Sequence, residues 1–121
     1  MTAVRYKTSL SDRLRELIIL RIAVLNDAPY EFNAHAPIAE KAGVTPAEIE
    51  AVRQTPPGAA LSAHEQRVLA LTDAMTRDIH VPDALFERVT AGMTDTEKVE
   101  IAATVASYNM VSRFLVGLHV E

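Results

Sequence analysis

The chain has 121 residues, with 12 basic and 16 acidic side chains, a formal net charge of −4 and no cysteine. That length fits one domain spanning residues 1–121, and a hydrophobic content of 49% argues against disorder. The acidic balance argues against a nucleic-acid or anionic-membrane partner, and the missing thiols exclude disulfides, thiolate metal sites and thiol redox chemistry.

Helix signals recur from end to end, whereas the alternation expected of strands does not. Residues 1–10 are polar and lack the apolar core of a secretory signal, and the stretch Leu17 to Leu25 holds Arg21 and is too short to span a bilayer. A soluble cytoplasmic protein is the expectation. Ser9 or Ser11 can cap a first helix that carries Asp12 in its first turn and runs to about Asn26. A turn at Asp27-Ala28-Pro29 leads into a second helix, Pro29 to Ala42, closed by Gly43. Thr45-Pro46-Ala47-Glu48 is a capping box opening a third helix to about Gln54, and Thr55-Pro56-Pro57-Gly58 breaks the chain. Ser62-Ala63-His64-Glu65 is a second box, for a helix to about Arg77. Ile79-His80-Val81-Pro82 connects to a short helix, Asp83 to Ala91, stopped by Gly92. Thr94-Asp95-Thr96-Glu97 is a third box, opening a long helix to about Leu118. Six helices with short links predict an all-α domain, which suits a chain rich in alanine and poor in aromatic residues.

The first and last helices are unusual. On the first, Leu14, Leu17, Ile18, Ile22 and Leu25 form one apolar stripe while Ile19, Leu20 and Ala23 lie opposite, so the helix is apolar all round. Glu16 and Arg21 sit inside these apolar sets, and a buried unpaired charge costs several kcal/mol, so each calls for a partner or a function. So central a helix is hard to cover in a monomer of this size, and an oligomer is expected. The last helix is apolar around most of its circumference, with Ser107, Tyr108, Asn109 and Arg113 as exceptions that line a cavity or bridge subunits.

Tyr30-Glu31-Phe32-Asn33-Ala34-His35 carries the clearest chemistry. Glu31 and His35 are four apart on a helix and share a face, and a carboxylate beside an imidazole offers acid–base catalysis near neutral pH or simply a surface pair. His64, His80 and His119 fit solvated, loop and helix-end roles, and Met75, Met93 and Met110 fit core filler. No histidine pair has zinc-binding spacing, and no glycine-rich phosphate loop or nucleophile elbow is present, so neither a metal nor a cofactor is expected.

The run from Leu10 to Arg53, with Leu14-Arg15-Glu16-Leu17-Ile18-Ile19-Leu20-Arg21, Tyr30-Glu31-Phe32, His35, Ile38-Ala39 and Ala42-Gly43-Val44, resembles the carboxymuconolactone decarboxylase family. The run Glu97 to Val120, with Glu100, Tyr108-Asn109-Met110 and Arg113, resembles the end of the same domain. That family is similar to the alkyl hydroperoxidase D proteins, which implies an all-helical trimer or hexamer. The hydroperoxidase pattern is a glutamate, eleven residues, then Cys-x-x-Cys-x-x-x-His. Counted back from His35, its cysteines fall on Glu31 and Ala28 and its glutamate on Glu16. Both thiols are therefore replaced, and thiol-dependent peroxidase activity is not expected.

The resemblance then implies a cofactor-free carboxy-lyase of aromatic catabolism acting on a small carboxylated lactone. Its catalytic residues would be Glu16, Glu31 and His35, with His35 as proton donor oriented by Glu31, and Glu16 holding His35 or relaying a proton. Arg21 or Arg113 would bind a substrate carboxylate, with Tyr108 and Asn109 lining the pocket. A non-catalytic helical oligomer or small-ligand binder on the same scaffold is the alternative. Many relatives carry a further helical segment before the Leu14-Arg15-Glu16-Leu17 block, so the expectation is a short member or a pocket lid supplied by another subunit.

Overall fold

A computed structural model describes residues 10–120, and among these there are six helices and no strand. They are α1 (Asp12–Leu25), α2 (Pro29–Lys41), α3 (Pro46–Arg53), α4 (Ala63–Arg77), α5 (Asp83–Thr90) and α6 (Asp95–Gly117). Ser11 caps α1 by accepting from the Leu14 amide, while Ser9 lies outside the described residues. The three capping boxes form at Thr45, Ser62 and Thr94, where each side chain accepts from the amide of the glutamate three residues on and that glutamate bonds back. Gly43 closes α2 at φ +96°, a left-handed conformation open to glycine at no steric cost. No described helix is long and apolar enough to cross a membrane.

The helix α1 is the axis of the assembly, packed against α2, α3, α4 and α6, while α5 packs on α4. Every residue of α1 from Arg15 to Ala23 is buried within the one chain. The apolar circumference read from the sequence is therefore covered by the chain's own helices, and α1 does not require a second subunit. The uncovered helix is α6, where Val99, Met110, Phe114 and Leu118 are each more than half exposed. Met75 and Met93 pack against the core as expected, whereas Met110 belongs to this exposed face.

Three charges of α1 are buried with its apolar residues, and each is answered by another group. Arg21, fully buried, donates from Nε and Nη2 to the two carboxylate oxygens of Asp73 on α4 at 2.7 and 2.8 Å. Its Nη1 donates to the carbonyls of Val52 and Gln54 at the C-terminal end of α3, at 2.8 and 2.7 Å. One guanidinium thus fixes α1, α3 and α4 together and satisfies two orphan carbonyls of a helix end. Glu16 and Arg15 answer each other in part, with 3.4 Å between Arg15 Nε and Glu16 Oε2.

A second clamp lies nearer the surface. Arg13 donates to Glu48 and Glu65, the glutamates of the first two capping boxes, and to the Gly43 carbonyl. Its hydrogen bonds hold the Glu48 carboxyl at about 2 and push Glu65 below its ordinary range. Depressed carboxylate values stabilise the fold fully above the ordinary range, and that contribution is lost as pH falls towards 2.

Replacing Arg21 with alanine leaves Asp73 as an uncompensated charge and frees two carbonyls. The expected loss is about 3–5 kcal/mol of unfolding free energy, measured by urea denaturation at pH 7. A loss below about 1 kcal/mol would show that the clamp carries little of the stability.

Candidate active site

The link between α1 and α2 is tight. The Asn26, Asp27 and Ala28 amides donate to the Ile22, Val24 and Ala23 carbonyls, and Asp27 adopts φ +50°, which aspartate tolerates better than most residues. The turn folds α2 back along α1, so that a side chain one to two turns into α2 meets the middle of α1. There His35 Nδ1 lies 2.7 Å from Glu16 Oε1. A carboxylate only accepts, so the proton of this bond sits on Nδ1 and the Nε2 edge is left for other contacts. The His35 side chain keeps 15% exposure while Glu16 has none, which makes the imidazole the accessible member of the pair.

The face of His35 is set by α6. Tyr108, buried, meets the imidazole edge-on with ring centroids 5.9 Å apart and planes at 83°. One helical turn further along α6, the Ser112 hydroxyl donates to Glu31 Oε1 at 2.8 Å. Glu31 Oε2 is buried and has no hydrogen-bond partner among the described residues. Burial pushes the Glu31 carboxyl above its ordinary value of 4.5, against the smaller opposing effects of the Ser112 hydrogen bond and the nearby His35. Two carboxyl groups therefore stand near one imidazole in different settings. Glu16 is hydrogen-bonded to it, and Glu31 is desolvated and holds its proton more tightly than a solvated glutamate.

The residues singled out from the sequence divide accordingly. Glu16, Glu31, His35 and Tyr108 come together. The expectation that Glu31 orients His35 through the four-residue spacing is not met, because Glu16 makes the hydrogen bond and Glu31 turns to Ser112. Arg21 does not reach this site as a substrate ligand, since its donors are taken up by Asp73, Val52 and Gln54 and it is fully buried. Asn109 is likewise occupied. Its amide donates to Thr76 and to the Val105 carbonyl, and its oxygen accepts from Asn26 and Arg113. Arg113 is exposed and donates to Asn109 at 2.9 Å.

Ser112 and Arg15 were not singled out beforehand. Ser112 shares a stripe of α6 with Ile101, Thr104, Val105 and Tyr108, all buried, and a serine on that stripe is itself a mark of a polar contact inside the fold. His64, His80 and His119 are exposed and apart from the site. No group of three or more histidine or acidic side chains able to hold a metal ion occurs among the described residues.

Clefts open elsewhere on the chain. One of about 320 Å³ is lined by Asn26, Ser112, Arg113, Val116 and Gly117, and one of about 280 Å³ includes Ala28, Phe32 and Arg53. The guanidinium of Arg53 stacks on the Phe32 ring at 3.9 Å. Neither cleft is lined by Glu16, Glu31 or His35, although the first touches Ser112, which holds Glu31.

Known proteins resemble the chain in sequence and in fold. The carboxymuconolactone decarboxylase family model matches residues 1–74, the span that holds Glu16, Glu31 and His35. No curated protein matches. Among solved structures, the chain is similar to a protein of unknown function from Agrobacterium tumefaciens whose proposed role is that of the antioxidant defence protein AhpD. The TM-score is 0.92 at 24% identity, covering 99% of this chain and 83% of that one. It is also similar to an uncharacterized peroxidase-related protein from Silicibacter sp. TM1040, with a TM-score of 0.86 at 23% identity over 96% of this chain. The match spans 62% of that protein's length. At these identities the two structures share the AhpD-like helical fold.

The raised Glu31 value has a consequence for stability. A carboxyl whose folded value exceeds its unfolded one binds more protons when folded, so stability falls as pH rises from 4.5 through the raised value. The depressed carboxyls of the Arg13 clamp place its own pH dependence at the acid side of that window. Glu31→Gln should abolish this part of the pH dependence and match or exceed the parent chain at about pH 8, as read from urea midpoints at about pH 5 and 8. An unchanged pH dependence would remove the desolvated Glu31 from the account.

Proposed function

The chain belongs to the carboxymuconolactone decarboxylase family, and we propose that it is a cofactor-independent carboxy-lyase acting on a small carboxylated lactone. The observation that carries this reading is the 2.7 Å contact between His35 Nδ1 and a fully buried Glu16 carboxylate. A buried carboxylate that orients an imidazole and stabilises its cation is the arrangement general acid catalysis requires. A thiol peroxidase step has no nucleophile here, since Ala28 and Glu31 stand where the relatives' pattern has cysteines and the chain contains none.

The carbon–carbon bond to the substrate carboxylate breaks, carbon dioxide leaves, and the electron pair passes into a dienolate conjugated with the lactone carbonyl. The His35 imidazolium delivers a proton to the γ carbon and is reprotonated from solvent, so one proton is consumed for each carbon dioxide released. Developing negative charge on the lactone oxygen calls for a donor, and Glu31, whose buried carboxyl is pushed towards its protonated form, is the candidate beside His35. Arg113, exposed at the cleft that touches Ser112, is the cation available to a second substrate carboxylate. Arg21 and Asn109 have structural roles instead.

We also propose that the chain self-associates, as a trimer or hexamer, through α6. Val99, Met110, Phe114 and Leu118 follow one another at intervals of eleven, four and four residues, which keeps them on one exposed apolar stripe. A single chain leaves the His35 side chain at 15% exposure, and neither of the clefts described above is lined by it. That separation is what favours the second reading, a helical oligomer or small-ligand binder without turnover.

A screen of carboxylated γ-lactones, followed by release of carbon dioxide, separates the two. The lyase reading expects turnover of at least one compound, with His35→Gln and Glu16→Gln each slowed by roughly 10²–10⁴-fold while remaining folded. Absence of turnover across the screen would favour the binder, and full activity in either variant would overturn the assignment of Glu16 and His35. In sedimentation, Phe114→Glu should run smaller than the parent chain, and an equal size for both would dismiss α6 as the interface.

A further inference from the structure

A cleft of about 400 Å³ lies between α4 and α5, closed at one side by the Pro56-Pro57 turn, and shares no residue with the Glu16–His35 site. Its volume falls in the range that encloses small ligands. Two arginines line it, Arg67 from α4 and Arg88 from α5. Neither makes a hydrogen bond, ion pair or ring contact with another described residue. Both are exposed.

The one acidic side chain on the described wall is Asp73. Both its oxygens are engaged from the core side by Arg21, at 2.7 and 2.8 Å, so its charge is neutralised from behind. The cleft therefore presents two uncompensated guanidinium groups in a chain whose overall charge is −4. Beside them stand the apolar surfaces of Pro57, Ala70 and Val89. Cations left without acceptors beside an apolar wall match a ligand with an anionic head and an apolar body.

We propose that this cleft binds a small organic carboxylate, with its head on Arg67 and Arg88 and a flat apolar body against Pro57, Ala70 and Val89. The wall is rigid, because Arg21 fixes Asp73 on one side and holds the Gln54 carbonyl, two residues before Pro56, on the other. The inference is independent of the lyase reading, since it uses none of the residues proposed for catalysis.

Benzoate is the probe, titrated into the full ¹⁵N-labelled chain and followed by amide chemical shifts. Saturable shifts should cluster at Arg67, Ala70, Arg88 and Val89, with a Kd of about 1 mM. Acetate, lacking the ring, and benzyl alcohol, lacking the charge, should each bind about tenfold more weakly or worse, corresponding to ~1.4 kcal/mol. Arg67→Gln and Arg88→Gln, both at exposed positions, should weaken benzoate by a similar factor while leaving the rest of the spectrum unchanged. The proposal is overturned if shifts fail to saturate, if they centre on Phe32 and His35, if acetate or benzyl alcohol binds as well as benzoate, or if both variants bind like the parent chain.

Discussion

The structure turns on one constraint: its central helix is buried on every side and yet carries charge. Burying an uncompensated ion costs several kcal/mol, so α1 is tolerated only where neighbouring helices deliver partners to Glu16 and Arg21, while Arg15 pairs with Asp12 and Glu16 on α1 itself. Arg21 draws in Asp73 from α4 and the end of α3, and Glu16 draws in His35 from α2. Those contacts fix the register of three helices against α1 with a directionality that apolar packing alone lacks. The apolar residues of α1, with Leu17, Ile18, Ile19 and Leu20 among them, then supply the burial that stabilises the arrangement.

The candidate site follows from the same constraint. A carboxylate in the core must be answered, and here its answer is an imidazole that stays partly exposed, so structural compensation and chemical potential share one hydrogen bond. Glu31 occupies a position that carries cysteine in the thiol-dependent pattern, and burial pushes it towards the protonated form. In the proposed lyase reading, Glu16 would stabilise an imidazolium and Glu31 would act as the donor.

Much of this was legible in the amino-acid sequence because it is local. The three capping boxes, the proline-led starts of α2 and α3 and the glycine stop at Gly43 each depend on a few adjacent residues, and all appear where expected. The conflict between Glu16, Arg21 and their apolar surroundings was legible as well, since helical periodicity alone exposes it. Its resolution was not, because Arg21 and Asp73 are 52 residues apart and Glu31 and Ser112 are 81 apart. The four-residue spacing of Glu31 and His35 pointed to the wrong partner, because that spacing places two side chains on one face without choosing between a helical neighbour and a group on another helix. The inference from the apolar circumference of α1 to a second subunit failed for a related reason. Periodicity reports that a face is buried but not what buries it, and the exposed stripe turned out to be on α6.

The chemistry proposed for this chain depends on a buried Glu16 holding His35 through Nδ1. Nitrogen chemical shifts of the His35 ring, recorded by long-range ¹H–¹⁵N correlation above the pH at which histidines lose their charge, read that bond directly. The account predicts a ring protonated at Nδ1 with Nε2 bare, and loss of that preference in Glu16→Gln, while the exposed His64 shows the averaged pattern of a solvated imidazole in both proteins. A His35 ring that is protonated at Nε2, or that averages like His64 in the parent chain, would contradict it.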